Sequence, residues 1–269
     1  MPKRKEVAAL PWRRRVRHGN PAEHLALLLC GRAAEDGLAK VALQNLSKTL
    51  VYFGTTLDRF GRSPTSGELV SFAPFCARVI LENGCAAILG RLDPFRILYL
   101  AEFQAQKEYV LEKRAKTAFS WFGDVMTDGK TAALWDIDYD LPKISRAMLS
   151  NHMDHLCWRP AAESAIDYFS ANYPSHPVTA EIASIDTDKF LLSTRGILSR
   201  LYSTLSKGVH WEFFNSASLD ETTVRSSFRD ACYQMATLGL FSHFIPTAYA
   251  NISKTQASES YIEYMGSII

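Results

Sequence analysis

The sequence is short of the patterns that build sheets, disulfide scaffolds and membrane anchors. Runs in which β-branched and polar residues alternate are almost absent, and no Asn-Gly or Asp-Gly pair sits between two strand-like segments, which excludes a β-sandwich or barrel. The five cysteines, Cys30, Cys76, Cys85, Cys157 and Cys232, are odd in number and scattered, with no close pair of the zinc or redox kind; they read as reduced thiols in apolar surroundings. No uninterrupted apolar run is expected to reach the roughly 18–20 residues a bilayer requires. The uncharged stretch Ala236–Ser253 is broken by His243, Pro246 and Asn251. The first residues are basic, but Pro11 and a second run of arginines stand where the apolar part of a signal peptide would follow, so a cytoplasmic location without a membrane is expected. With 14 glycines and 11 prolines in 269 residues, and 47% hydrophobic residues, the chain is neither collagen-like nor wholly disordered, and is long enough to bury a large core.

What is present begins with an uneven charge distribution behind a net charge of +2. Residues 1–18 carry Lys3, Arg4, Lys5, Arg13, Arg14, Arg15 and Arg17 against Glu6, a balance of +6, and the remaining chain has 23 basic and 27 acidic residues, a balance of −4. Residues 1–19 therefore read as a polar basic arm and residues 20–269 as a mildly acidic helical domain. Arginine forks bind phosphates, and Trp12 among them offers a stacking face to a base. Arg13, Arg14, Arg15, Arg17 and Trp12 are thus candidate nucleic-acid contacts; docking of the arm on an acidic partner subunit is the other reading.

Apolar residues recur at helical spacing along the body. Asn20-Pro21-Ala22-Glu23 starts a helical run on towards Phe53 in which Gly31 and Gly37 offer bends, Gly54–Gly67 reads as a connection, and Glu68–Leu92 as a central helix with Pro74 kinking or restarting it. Asp93-Pro94 opens a long helix to about Trp121. The stretch 123–140 reads as a loop and a candidate boundary between two lobes. Leu141–Cys157 and Pro160–Tyr173 read as two helices parted at Trp158-Arg159-Pro160. A helix over Asp186–Lys207 follows, then one opened by a capping box at Ser218-Leu-Asp-Glu221, and a final one from Pro246. The fold class is all-α, with seven to nine helices.

Two stretches come near known ligand loops and miss them. Gly123 and Gly129-Lys130-Thr131 are separated by five residues where a phosphate-cradling loop needs four, and they follow a helix instead of a strand. Asp136, Asp138 and Asp140 begin like a calcium loop, but Leu141 and Ala147 stand where glycine and glutamate are required. Three carboxylates offer oxygen ligands to magnesium, yet a solvated loop is the simpler reading, so no metal and no small-molecule cofactor is expected.

Arg146 and His152, separated by five residues, pair a phosphate-holding fork with a group that moves protons at neutral pH. Such a pair is enough to drive a 2′-hydroxyl onto the adjacent phosphate without a metal. His210 follows the Gly208 that ends a helix and lies beside Trp211, Phe213 and Phe214, either as a helix-end cap packed on aromatics or as a second proton-transfer group.

The wording Tyr202-x-x-Leu205-Ser206-x-x-Val209-His210 resembles the last long helix of all-α bacterial proteins of the broad HEPN-like kind, over residues 195–214 and in the general helical layout. The resemblance implies an RNA-cleaving or RNA-binding module of toxin and anti-phage systems, often with its site built across a homodimer. The catalytic arginine and histidine of that kind have four to six residues between them. Nine residues part Arg200 from His210, whereas Arg146 and His152 have the family spacing on a different helix. The expectation is a nucleic-acid-associated protein, RNA before DNA, with Arg146, His152 and His210 as catalytic residues. The alternative is a non-catalytic helical adaptor that binds a protein partner through its arm and aromatic surface.

Overall fold

A computed structural model of the chain describes residues 19–32, 38–62, 66–110, 118–127, 134–135, 147–208 and 220–268. Among them the regular structure is helical, as the spacing predicts, with one isolated bridge between Phe122 and Met126 and no strand. The first helix, α1 (Pro21–Cys30), starts where Asn20 accepts the Ala22 amide at 3.1 Å and Pro21 takes the first turn. It has almost no polar face: Leu25, Leu28 and Leu29 are wholly buried. Such a helix belongs inside, and α1 packs against α2 (Leu38–Arg62), α3 (Ser66–Leu92), α8 (Glu221–Ser242) and α9 (Lys254–Ile268). Between these come α4 (Pro94–Gln104), α5 (Arg159–Asn172), α6 (Pro177–Ala183) and α7 (Phe190–Lys207). Their buried faces join one apolar cluster that includes residues on both sides of 123–140.

Several expected boundaries move, each for a tertiary reason. Gly54 lies within α2 instead of ending it; a Cβ there would stand 2.8 Å from that of Ala22, so the glycine lets α1 and α2 approach. Pro74 lies inside α3 without dividing it. The helix from Pro94 stops at Gln104, well short of Trp121, and Asp93 does not cap it but pairs with Arg96 at 3.0 Å. The cap of α8 is Asp220, whose carboxylate accepts the Thr223 amide at 2.7 Å; Ser218 lies outside the described residues. The last helix begins at Lys254, not Pro246. Gly67–Leu92 is long and apolar enough to cross a membrane (mean hydropathy 1.4), contrary to the expectation that no segment is. Here it is the core helix, with Leu69, Ala77, Ile80, Leu81 and Ile88 buried. All five cysteines are free, four of them buried, and burial holds the Cys30 and Cys85 thiols up at about 12.

The segment that replaces the expected start at Pro246 is tied down by Arg91, which is completely buried in the last turn of α3. Its guanidinium donates to the Tyr249 carbonyl (3.0 Å), the Leu28 carbonyl (3.2 Å), Ser242 Oγ (2.7 Å), His243 Nδ1 (2.9 Å) and Asn251 Oδ1 (2.6 Å). Its neighbours are thus the C-terminal ends of α1 and α8, besides its own helix. Helix C-termini carry partial negative charge, so one cation is held by helix ends and neutral acceptors. Burial lowers its pKa to about 10. Burial first, and then Arg91 itself, depress His243 to about 3. The neutral ring donates from Nε2 to the Leu28 carbonyl at 2.9 Å.

Candidate functional site

The expected break at Trp158-Arg159-Pro160 is absent. Asn151–Met153, a π-helical turn Asp154–Trp158 and α5 run on as one helical segment. Ser150 caps it by accepting the Met153 amide at 3.2 Å. In the π-turn the Arg159 amide bonds to the Asp154 carbonyl, five residues back. Pro160, which has no amide hydrogen to give, follows in the first turn of α5. Trp158, wholly buried, fixes the turn from inside by donating to the Met148 carbonyl at 2.9 Å.

On the other side the turn gathers charged groups. Asp154 Oδ2 lies 3.5 Å from the Arg159 guanidinium, whose other end meets Asp188 at 2.7 Å. Arg195 of α7 donates to the Leu149 carbonyl at 3.4 Å and acts on Asp154 electrostatically. Burial raises the Asp154 carboxyl above its ordinary value, against the pull of Arg159, Arg195 and His155. Burial lowers Arg195, and Asp154 opposes that.

His152, the one sequence-selected catalytic residue within the described region, sits at the head of this cluster. It is 4% exposed, and its Nε2 donates to the Leu134 carbonyl. That leaves Nδ1 as an acceptor, buried and without a partner. The exposed Trp135 meets His152 edge-on at 5.1 Å and His155 at 5.8 Å. Asp154 Oδ1 and Arg159 Nε are also buried without a partner. Two free acceptors and one free donor therefore lie within eight residues of one helical segment. Buried polar atoms are paired in the great majority of cases.

Arg146, His210, Trp12, Arg13, Arg14, Arg15 and Arg17 lie outside the described residues, as do Asp136, Asp138, Asp140 and Gly129. Arg200 is exposed on α7. Among the described residues no group of three or more His, Cys, Asp or Glu side chains has the arrangement of a metal site. The sequence reading passed over Asp154, His155, Arg159 and Arg195. The available signal was His155 with Arg159 four residues on, which places both on one helical face; Arg195 joins them only through the fold.

The fold is all-α, with a cluster of Asp, His and Arg side chains gathered around a π-turn. Compared with family models, curated proteins and solved structures, the chain matches none.

Proposed function

We propose that the chain is a HEPN-like, metal-independent ribonuclease, an effector of a prokaryotic defence system, with its phosphate site on the π-turn. The observation that carries this reading is the set of unpartnered atoms at His152, Asp154 and Arg159. The two acceptors suit a hydroxyl, and the guanidine N–H suits a phosphate oxygen, which is the pairing a ribose 2′-hydroxyl and its neighbouring phosphate present. In this reading His152 Nδ1 takes the 2′-hydroxyl proton. Arg159 and Arg195 stabilise the charge that builds on the phosphoryl oxygens, and His155 returns a proton to the departing 5′-oxygen. Trp135 supplies a stacking face, and the basic arm adds local phosphate contacts.

Binding of labelled single-stranded RNA and of the same sequence as DNA tests the reading. RNA is expected to bind more tightly, and Arg195→Ala and Arg159→Ala to weaken RNA binding by about tenfold each, as loss of a charge-assisted hydrogen bond does. Equal affinity for RNA and DNA, unchanged in both variants, overturns it.

One observation favours the adaptor as a second reading. Phe95, Tyr99 and Phe103 form a tilted ring ladder along α4, with centroids 6.3 and 6.0 Å apart, and all three are exposed. Such a face suits a protein partner. Loss of the biological effect in Phe95→Ser/Tyr99→Ser, with RNA binding intact, supports that reading.

A further inference from the structure

A cleft of about 750 Å³ is lined by α2, α3, α4, Trp121, Val125 and Tyr202 of α7. Its volume is that of a small-molecule site. Ala86, Ile97 and Val125 are buried in its wall, and Asn45, Thr49, Glu82, Asn83 and Gln104 are among its polar groups. One side is built as a layered aromatic wall. Trp121 stacks on Tyr202 with centroids 4.4 Å apart and planes 11° from parallel. Arg78 lies 4.7 Å from the Tyr202 ring centre and donates to its hydroxyl at 3.0 Å. Arg78 also pairs with Glu82 at 3.0 Å, so the cation and the carboxylate beside the cleft neutralise each other.

Trp121 is 8% exposed, and its indole N–H is buried without an acceptor. Tyr202 uses its ring to hold the indole and its hydroxyl to hold Arg78, and no described side chain accepts from the indole nitrogen. A partly apolar cleft whose carboxylate is paired, with a buried donor left unanswered, favours an uncharged molecule with an acceptor over an ion. We infer that this cleft binds an uncharged aromatic molecule whose carbonyl or ring nitrogen accepts the Trp121 indole N–H. The site is separate from the π-turn and does not depend on the ribonuclease reading.

The probe is Nile red, an uncharged aromatic dye with a carbonyl acceptor, titrated into the full chain and followed by fluorescence. One dye per chain with blue-shifted emission is expected. Ala101→Trp, which fills the cleft from α4, is expected to weaken binding at least tenfold. Trp121→Phe, which retains the stack on Tyr202 and removes only the donor, is expected to weaken it about fivefold, the size of one neutral hydrogen bond. Asn45→Trp fills the same space from α2, so the volume test stands if Ala101→Trp loses its circular dichroism. Absence of binding to the natural chain, unchanged affinity in a folded cleft-filling variant, or unchanged affinity in Trp121→Phe overturns the inference.

Discussion

Replacing Gly31 with alanine is the sharpest test of how the helix ends are joined. Gly31 follows α1 with φ +67° and ψ −162°, a conformation closed to residues with a side chain. A Cβ there would stand 2.0 Å from the Ala250 carbonyl oxygen, 3.0 Å from its carbon and 3.2 Å from Arg91 Nε. Nothing at Ala250 is a flexible side-chain tip, so the backbone of 249–251 has to move. Moving it breaks the Arg32 amide bond to the Ala250 carbonyl (3.0 Å) and loosens the Tyr249 and Asn251 acceptors of Arg91. Backbone strain costs about 1–3 kcal/mol, and weakening two or three buried hydrogen bonds about 1 kcal/mol each. The expected loss is thus about 4 kcal/mol. With a urea slope of about 3 kcal/mol/M, the unfolding midpoint falls by roughly 1 M. Gly196→Ala is the control: that glycine is inside α7 with nothing within 4 Å of a Cβ, so alanine is expected to stabilise by about 0.5–1 kcal/mol. Equal midpoints for Gly31→Ala and the natural chain, with unchanged slopes, contradict a tight junction between Gly31 and Ala250.

Trp158→Phe keeps most of the buried volume but leaves the Met148 carbonyl without its indole donor, an expected loss of about 1–3 kcal/mol. Trp158→Ala adds a cavity and is expected to cost about 3–5 kcal/mol in the same urea assay. The pH dependence of stability follows from His243, depressed from 6.5 to about 3 in the fold. The unfolded chain takes up its proton first on acidification, so stability falls as pH drops below 6.5, by up to about 1.4 kcal/mol per pH unit until about pH 3. Asp154, raised by burial, acts in the opposite sense, contributing stability that is lost as pH rises through its folded value. His243→Gln is expected to flatten the slope between pH 4 and 6, and a slope equal to that of the natural chain contradicts the assignment.

How much of this was legible in the sequence depended on whether local chemistry or distant neighbours decided each feature. The Asn20-Pro21 cap and the apolar stripe of α7 were local, and they were readable. Gly54 was misread because its purpose is a neighbour, Ala22, on another helix. Pro160 reads as a break because the π-turn that leads into its helix leaves no periodic mark. Arg91 carries no mark in the sequence, because the ends of α1 and α8 that converge on it are distant in the chain. At the candidate site His152 was found from its spacing to Arg146. Arg195 and Trp135 meet the π-turn only in three dimensions, and no pattern in the chain announces them.

In the proposed ribonuclease reading, His152 acts as a base towards RNA without a metal. The most direct test is cleavage of a labelled single-stranded RNA in excess chelator by the natural chain and by His152→Gln, with the product ends identified by mass spectrometry. Cleavage that leaves 2′,3′-cyclic phosphate ends is expected, slowed at least 10²-fold in His152→Gln, as loss of a general base does. Intact RNA with the natural chain, or equal rates for the two proteins, contradicts that reading.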